Sequence, residues 1–251
     1  MKRTMVVILV VVLYGAAIGG FWVTSVRSLF IFPAADSYSW QSFPDANNGG
    51  SDNFEITSSI APPKNMRGWI TFNLSKIPPG AWIITAKLWL RIWHKTTDDD
   101  SHGTADSTGR IYGVYRVTQP WTEYNITWTN QPEYTQEHHA EAAVPPGQGG
   151  WEGPILWMEW DVTGIVTDWM WGASNYGILV RDSQENAQIL SSTQFFTHDK
   201  VPDEGYYPRL VVTYLTPLAA ALLVALLIVE GLFITVIWRR QAVRLDASRR
   251  A

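Results

Sequence analysis

Lys87, Trp89, Arg91 and Trp93 recur at every second position of the segment ITAKLWLRIWHK, so an extended backbone carries all four side chains on one face. Indoles set beside cations suit stacking on the apolar faces of sugar rings. The same row would also pack well beneath a loop or a neighbouring subunit, and both readings stand at this point. A second candidate is Asp98, Asp99 and Asp100 with His102 and Asp106, where dense carboxylates could hold a hard cation such as a structural Ca²⁺. That run lacks the D-x-D-x-D-G spacing of a calcium loop, and acidic runs are commonly just solvated. The adjacent pair His138-His139 has no third ligand at metal-site spacing. Ordinary turn chemistry accounts for Asp45, Asn47, Asn48 and Asp52.

Catalysis finds little to work with. The chain of 251 residues has no cysteine, which removes disulfides, thiolate metal sites and cysteine nucleophiles. No G-x-S-x-G, H-E-x-x-H or phosphate-binding loop occurs. Scattered acids can always be imagined as a glycosidase pair, but their separation is not legible in a sequence. The expectation is a non-enzyme without an organic cofactor. Two N-x-S/T sequons, at Asn73 and Asn125, would be glycosylation acceptors if exported.

The elements that must position these residues read as β-structure. In the run from Thr85 to Trp93, Ala86, Leu88, Leu90 and Ile92 line the face opposite the Lys–Trp–Arg–Trp row. Arg67 to Leu74 alternates with Ile70, Phe72 and Leu74 inward, and Asp36 to Trp40 alternates as a first strand. Ile111 to Val117 reads as a buried strand that Gln119-Pro120 stops. A corner follows, with Trp121, Glu123, Thr127, Trp128, Asn130 and Pro132; Glu123 and Asn130 could supply acceptors or cap the turn. Residues 96–109 and 133–150 read as loops. A short helix is expected, capped by Asp161 or Thr163, with Val162, Ile165, Val166 and Trp169 on one face and Gly172 ending it. The remaining strands are Tyr176–Val180, Gln194–Thr197 and Arg209–Tyr214.

The motifs VYRVT, then Trp121-Thr122-Glu123, then Thr127-Trp128-x-Asn130-x-Pro132 resemble the DNRLRE, or disaggregatase-related, family of extracellular β-sandwich modules. The pieces Ala35-Asp36-Ser37-Tyr38, Arg67 to Pro78, Ala86 to Leu90, Asp161-Val162-Thr163 with Trp169, Asn175 to Leu179 and Pro208 to Tyr214 follow in the family's order. One departure is Asn73, where the family usually has Asp. The resemblance covers residues 35–214. It implies a mainly β, antiparallel jelly-roll β-sandwich with one short helix, akin to carbohydrate-binding modules and accessory to enzymes. In that fold the first strand, Asp36–Trp40, is expected to pair with the last, Arg209–Tyr214.

Apolar runs flank this domain. Lys2-Arg3 precedes a run from Thr4 to Val26, read as an uncleaved signal anchor with a short linker to residue 35. Pro217 to Trp238 is about 33 Å of helix at ~1.5 Å per residue, enough to span a bilayer, and five arginines follow it. Basic ends belong inside, so both termini are expected in the cytoplasm and residues 36–214 outside. Glu230, beside Gly231, falls in the second run, where an ionisable group normally faces a partner helix. Residues 36–214 hold 11 Lys and Arg against 21 Asp and Glu, a net of 11 − 21 = −10. That balance argues against nucleic acid and, for the same reason, against a polyanionic glycan.

Three functions follow as expectations. The first is a membrane-anchored cell-surface module that binds a glycan or builds the envelope. The second is an accessory subunit of a larger complex, docked through two spans in the lipid bilayer and through its outer domain. Third, and least favoured, is an anchored polysaccharide-degrading enzyme.

Overall fold

A strand whose alternate residues are Ala86, Leu88, Leu90 and Ile92 must bury that row, and all four are buried. The strand is β5, Trp82–Lys95, and it crosses the domain in a single 14-residue run. In the computed structural model the described residues are 25–60, 63–95, 110–137, 139–144, 157–188, 191–199, 204–225, 227–228 and 235. Before β5 come β1 (Val26–Ile31), β2 (Pro33–Trp40), β3 (Asn53–Ser58) and β4 (Met66–Phe72). After it come β6 (Arg110–Arg116), β7 (Ala140–Val144), β8 (Trp157–Asp161), the helix α1 (Thr163–Met170), β9 (Ile178–Asp182), β10 (Ser191–Phe196) and β11 (Arg209–Leu215).

Hydrogen bonding runs β1-β11-β5-β10-β3-β4-β9-β6-β7, with β2 also on β4 and β8 also on β5. The pairings with a defined register are antiparallel. β5 pairs with β8 from Lys87 to Arg91 and with β10 near its far end, where Phe195 faces Ile92. The strand is long enough to serve both neighbours. Trp160 on β8 donates its indole N–H to the Tyr112 carbonyl on β6 at 2.8 Å, and the Tyr112 hydroxyl bonds Thr193 Oγ1 on β10 at 2.8 Å. Phe54, Phe195, Tyr112 and Trp160 pack together there, with Phe54 and Phe195 ring centroids 5.4 Å apart. This interleaving of strands across one core fits a β-sandwich. Burial pushes the Tyr112 phenol well above its usual range, so it stays a neutral donor.

A second apolar cluster covers the other face of β4, β6 and β9. Trp69, Tyr115, Val117, Ile126 and Leu179 are buried together, and Trp121, Tyr134 and Tyr176 pack on them. The corner after β6 supplies Trp121, Ile126 and Tyr134, which is why a stretch without regular structure contributes to a core. Its indoles are satisfied locally: Trp121 donates to the Tyr176 carbonyl at 2.8 Å, and Trp69 to Ser39 Oγ at 3.0 Å. Glu185 fastens the corner. It takes two 2.7 Å bonds from Arg67 and a 3.0 Å bond from Arg181, while Arg67 also donates to Gln131 and lies over the Trp128 ring.

Several expectations need correcting. Asp36–Trp40 does not pair with the last strand: β2 lies along β4, with Asp36 opposite Ile70 and Trp40 opposite Met66. The neighbours of β11 are β1 and β5, and Ser28 Oγ on β1 meets Thr213 Oγ1 at 2.9 Å. The chain between residues 26 and 35, expected as a linker, has enough β-branched and aromatic residues to form strand. Residues 140–144, expected in a loop, form β7 on β6. The α1 N-cap is Val162, with no side-chain cap of its own; Asp161 instead accepts the Thr163 N–H at 2.9 Å, and the Thr163 side chain first, then this N–H, hold its carboxyl below the usual carboxylate range. Val162, Ile165, Val166 and Trp169 are all buried, as their spacing requires.

The chain divides into two compact units. Everything above from Ser28 to Ile77 and Ile83 to Thr213 belongs to one, and the other includes Pro78–Trp82 and the segment from Tyr214 onward. In the second, Leu215, Ala219 and Ala220 are buried against Val26 and Leu223, and residues 217–225 are helical. The expected first span lies outside the described residues except at its last two positions, and Glu230 and Gly231 lie outside them as well. No helix among the described residues is long and apolar enough to cross a membrane.

Gly177 marks where the fold is least forgiving. Its φ is +92°, and a Cβ there would lie 2.3 Å from the Ile70 carbonyl oxygen. Gly172 has a φ of +109° but nothing within 4 Å of a built Cβ. Thermal unfolding should therefore report a loss of about 2–4 kcal/mol for Gly177→Ala and about 1 kcal/mol for Gly172→Ala. Equal losses would show that backbone strain, without the clash, sets the cost.

Candidate functional site

Alternation along β5 fixes what faces outward. With Leu88 and Leu90 in the core, Lys87, Trp89, Arg91 and Trp93 emerge on the other side, each half-buried. Antiparallel pairing sets Trp89 opposite Glu159 and Arg91 opposite Trp157. Lys87 is ion-paired to Glu159, and the Trp89 and Trp157 rings lie 6.2 Å apart. Neighbouring strands extend the row. Trp93 stacks on Phe196 of β10 at 5.2 Å with planes 8° apart, and Phe196 meets Tyr206 at 5.0 Å. Arg91 lies over Tyr206 at 3.8 Å and over Phe196 at 5.3 Å, while Arg209 of β11 lies over Trp157 at 4.1 Å.

The result is a strip in which aromatic rings and guanidiniums alternate. Its electrostatics are unbalanced. Among the described residues neither Arg91 nor Arg209 is paired with a carboxylate; Arg209 donates only to the Gly205 carbonyl at 3.1 Å. Burial, and then the neighbouring Arg91 charge, lower the Arg209 guanidinium pKa, although an arginine stays cationic throughout the physiological range. The indole N–H of Trp89 and the Nε of each arginine are buried without an acceptor among the described residues. These three N–H groups are shielded from solvent, so what the strip offers an outside molecule is ring faces and positive charge. Trp171 is more exposed, at 86%, but stands singly just after α1.

A second constellation lies elsewhere in the same unit. Asp36 of β2, Glu123 of the corner, and His198 and Asp199 after β10 each offer one ligand atom within 4.8 Å of the others. The Asp36 side chain is fully buried, and its Oδ2 accepts the His198 N–H at 2.9 Å. His198 Nδ1 sits 3.0 Å from the same oxygen but off the line a hydrogen bond needs, and 3.8 Å from Glu123 Oε1. Glu123 Oε1 accepts the Asp36 N–H at 3.1 Å, and His198 Nε2 lies 3.9 Å from Asp199 Oδ1. Burial raises the pKa of Asp36 and of Glu123, and the Asp36 carboxylate pushes His198 up to about 9.

Of the residues singled out by sequence, the β5 row is therefore brought together and enlarged. Asp98, Asp99, Asp100, His102 and Asp106 lie outside the described residues. Asn73 is exposed and accepts the Ser75 N–H at 2.9 Å, a local turn, and Asn125 is exposed within the corner. Asn130 caps that corner by accepting the Thr127 N–H, whereas Glu123 reaches across to Asp36. Trp157, Phe196, Tyr206 and Arg209 had no signal in local spacing, because different strands deliver them. His198 and Asp199 were missed for the same reason; the available sign was Asp36, a charge at the start of an otherwise burying strand.

Residues 28–213, most of the chain, match carbohydrate-binding module family 96. No curated protein matches the chain.

Proposed function

Because the chain belongs to carbohydrate-binding module family 96, we propose that it works by holding a carbohydrate, without transforming it, on the aromatic–guanidinium strip of β5, β8, β10 and β11. The coarse part of the earlier resemblance, a carbohydrate-binding-module-like β-domain, agrees with this membership; the disaggregatase-related name has no separate support. The observation that carries the site is the pair Arg91 and Arg209, set among Trp89, Trp157 and Tyr206 with no carboxylate to balance it among the described residues. Rings supply faces for sugar carbons, and the two guanidiniums supply positive charge for oxygens.

The same pair bears on which sugar. The net charge of −10 over residues 36–214 argued against an acidic polymer, but charges beyond a Debye length of about 8–10 Å are largely screened at physiological salt. What a ligand meets at close range is two adjacent guanidiniums. A carboxylate or sulfate on the sugar would lie between them and remove their mutual repulsion. The strip thus favours an acidic glycan over a neutral one.

An exported, tethered setting completes the reading. It is supported by the two apolar runs and by the basic residues outside each, which orient both termini to the cytoplasm. Protease added to intact cells should then cut between residues 27 and 216 and spare the arginine-rich tail; a lost tail would contradict the orientation.

Retention in gels cast with a polyuronate or with a neutral β-glucan tests the strip. Replacing Arg91 and Arg209 with Gln should weaken retention by the polyuronate about 10- to 100-fold, as expected for charge-assisted bonds of roughly 1.5–3 kcal/mol. Trp89→Ala should weaken it further while leaving thermal unfolding within about 1 kcal/mol, since the ring is not part of the core. Unchanged retention, or a stability loss of the roughly 3–5 kcal/mol typical of a buried Trp, would assign the row to packing.

A further inference from the structure

We propose that Asp36, Glu123, His198 and Asp199 form a binding site for one borderline divalent cation of the Zn²⁺ class. The site shares no residue with the carbohydrate strip, from which Phe196 precedes His198 by two positions, and does not depend on that reading. Three lines of observation meet in it. The donor atoms lie within 4.8 Å of one another, so each can reach a common centre. A tetrahedron with bonds of about 2.0–2.2 Å has edges of roughly 3.3–3.6 Å. The contacts of 3.0 Å and 3.8 Å from His198 Nδ1 to Asp36 and Glu123 bracket that edge, so small side-chain rotations suffice.

Hydrogen bonding points the same way. Asp36 is wholly buried and contacts the other members, yet its Oδ1 has no donor; His198 Nδ1 and Asp199 Oδ2 are likewise buried and unsatisfied. Buried polar atoms without partners are uncommon, and three within one group of four residues call for a shared partner. Charge gives the third line. Three carboxylates face one imidazole, so even an imidazolium leaves the described members at −2. A divalent cation offsets that charge and offers the cluster a common partner, whereas a proton on His198 Nδ1 would serve only Asp36 Oδ2, 3.0 Å away, and leave Asp36 Oδ1 and Asp199 Oδ2 without one.

The donor types select the ion. Imidazole suits Zn²⁺ and its neighbours, carboxylates suit Ca²⁺ and Mg²⁺ as well, and a mixed set of one nitrogen and three oxygens favours the borderline ion. The Glu123 carboxylate is anchored by the Asp36 backbone N–H and the Asp36 carboxylate by the His198 backbone N–H, while His198 and Asp199 are partly exposed and offer an entry path. A bound ion would tie the start of β2, the corner after β6 and the end of β10 together, three segments that are remote in sequence.

Isothermal titration of the purified full-length chain, first stripped with chelator, tests this. One equivalent of Zn²⁺ should bind, more tightly than Ca²⁺ by at least 10-fold. His198→Gln and Asp199→Asn, both at partly exposed positions, should each weaken Zn²⁺ by 10-fold or more, and the fully buried Asp36 can be left intact. Absence of Zn²⁺ binding, tighter binding of Ca²⁺, or Zn²⁺ binding that survives His198→Gln and disappears in a His138→Ala, His139→Ala double variant would each overturn the site.

Discussion

Burial of Ala86, Leu88, Leu90 and Ile92 is the constraint on which the rest depends. A strand has only two faces, and a slip of one residue would put two indoles and two cations into the core in place of four aliphatic side chains. At roughly 1.5–3 kcal/mol for each large aliphatic group buried, that register is not negotiable. Lys87, Trp89, Arg91 and Trp93 are therefore outward because Leu88 and Leu90 are inward. β8, β10 and β11, aligned by their own hydrogen bonds to β5, then bring Trp157, Phe196 and Arg209 alongside.

The two sides of β6 show how the same logic handles the corner. Tyr112 and Val114 turn to the inner core, and Tyr115 and Val117 turn to the cluster under the corner. A stretch containing Gln119-Pro120 cannot continue the ladder, so it folds back and covers the second face with Trp121, Ile126 and Tyr134. The largely covered carboxylate of Glu185 holds it there by pairing with Arg67 and Arg181. Removing one partner of such a group leaves an uncompensated charge, which costs far more than an exposed pair gives. Arg67 and Arg181 are thus structural cations that share the Glu185 carboxylate. Arg91 and Arg209 also lie over rings but have no carboxylate partner among the described residues, and on the proposed reading that difference makes them ligand-facing.

What was legible in the sequence follows from the range of the interactions. β5, β6, α1 and the inward residues of each could be read because period-2 and period-3.6 patterns are local. β7, with the small polar-flanked sequence AEAAV, has no such pattern; it is a strand because β6 offers it an edge. β1 was hidden by its place after an apolar run, and it then took the position beside β11 that Asp36–Trp40 had been expected to occupy. The half of the strip on β5 was visible from spacing alone, but Arg209 is 118 positions from Arg91 in sequence, since 209 − 91 = 118. Asp36, Glu123 and His198 are similarly remote, and only the antiparallel placement of β2 on β4 and the folded-back corner bring them within reach.

The central claim is that an acidic sugar is held on the strip and nowhere else on the domain. Indole N–H resonances in a ¹⁵N–¹H spectrum test it most directly, because the 14 tryptophans report separate places in the fold. On titration with a uronate oligosaccharide, the Trp89, Trp93 and Trp157 signals should shift together, while those of Trp69 and Trp160, bonded inside the core, and of the isolated Trp171 stay in place. Shifts centred on Trp171 or Trp121, or a spectrum that does not change, would contradict the assignment of the strip as the binding face.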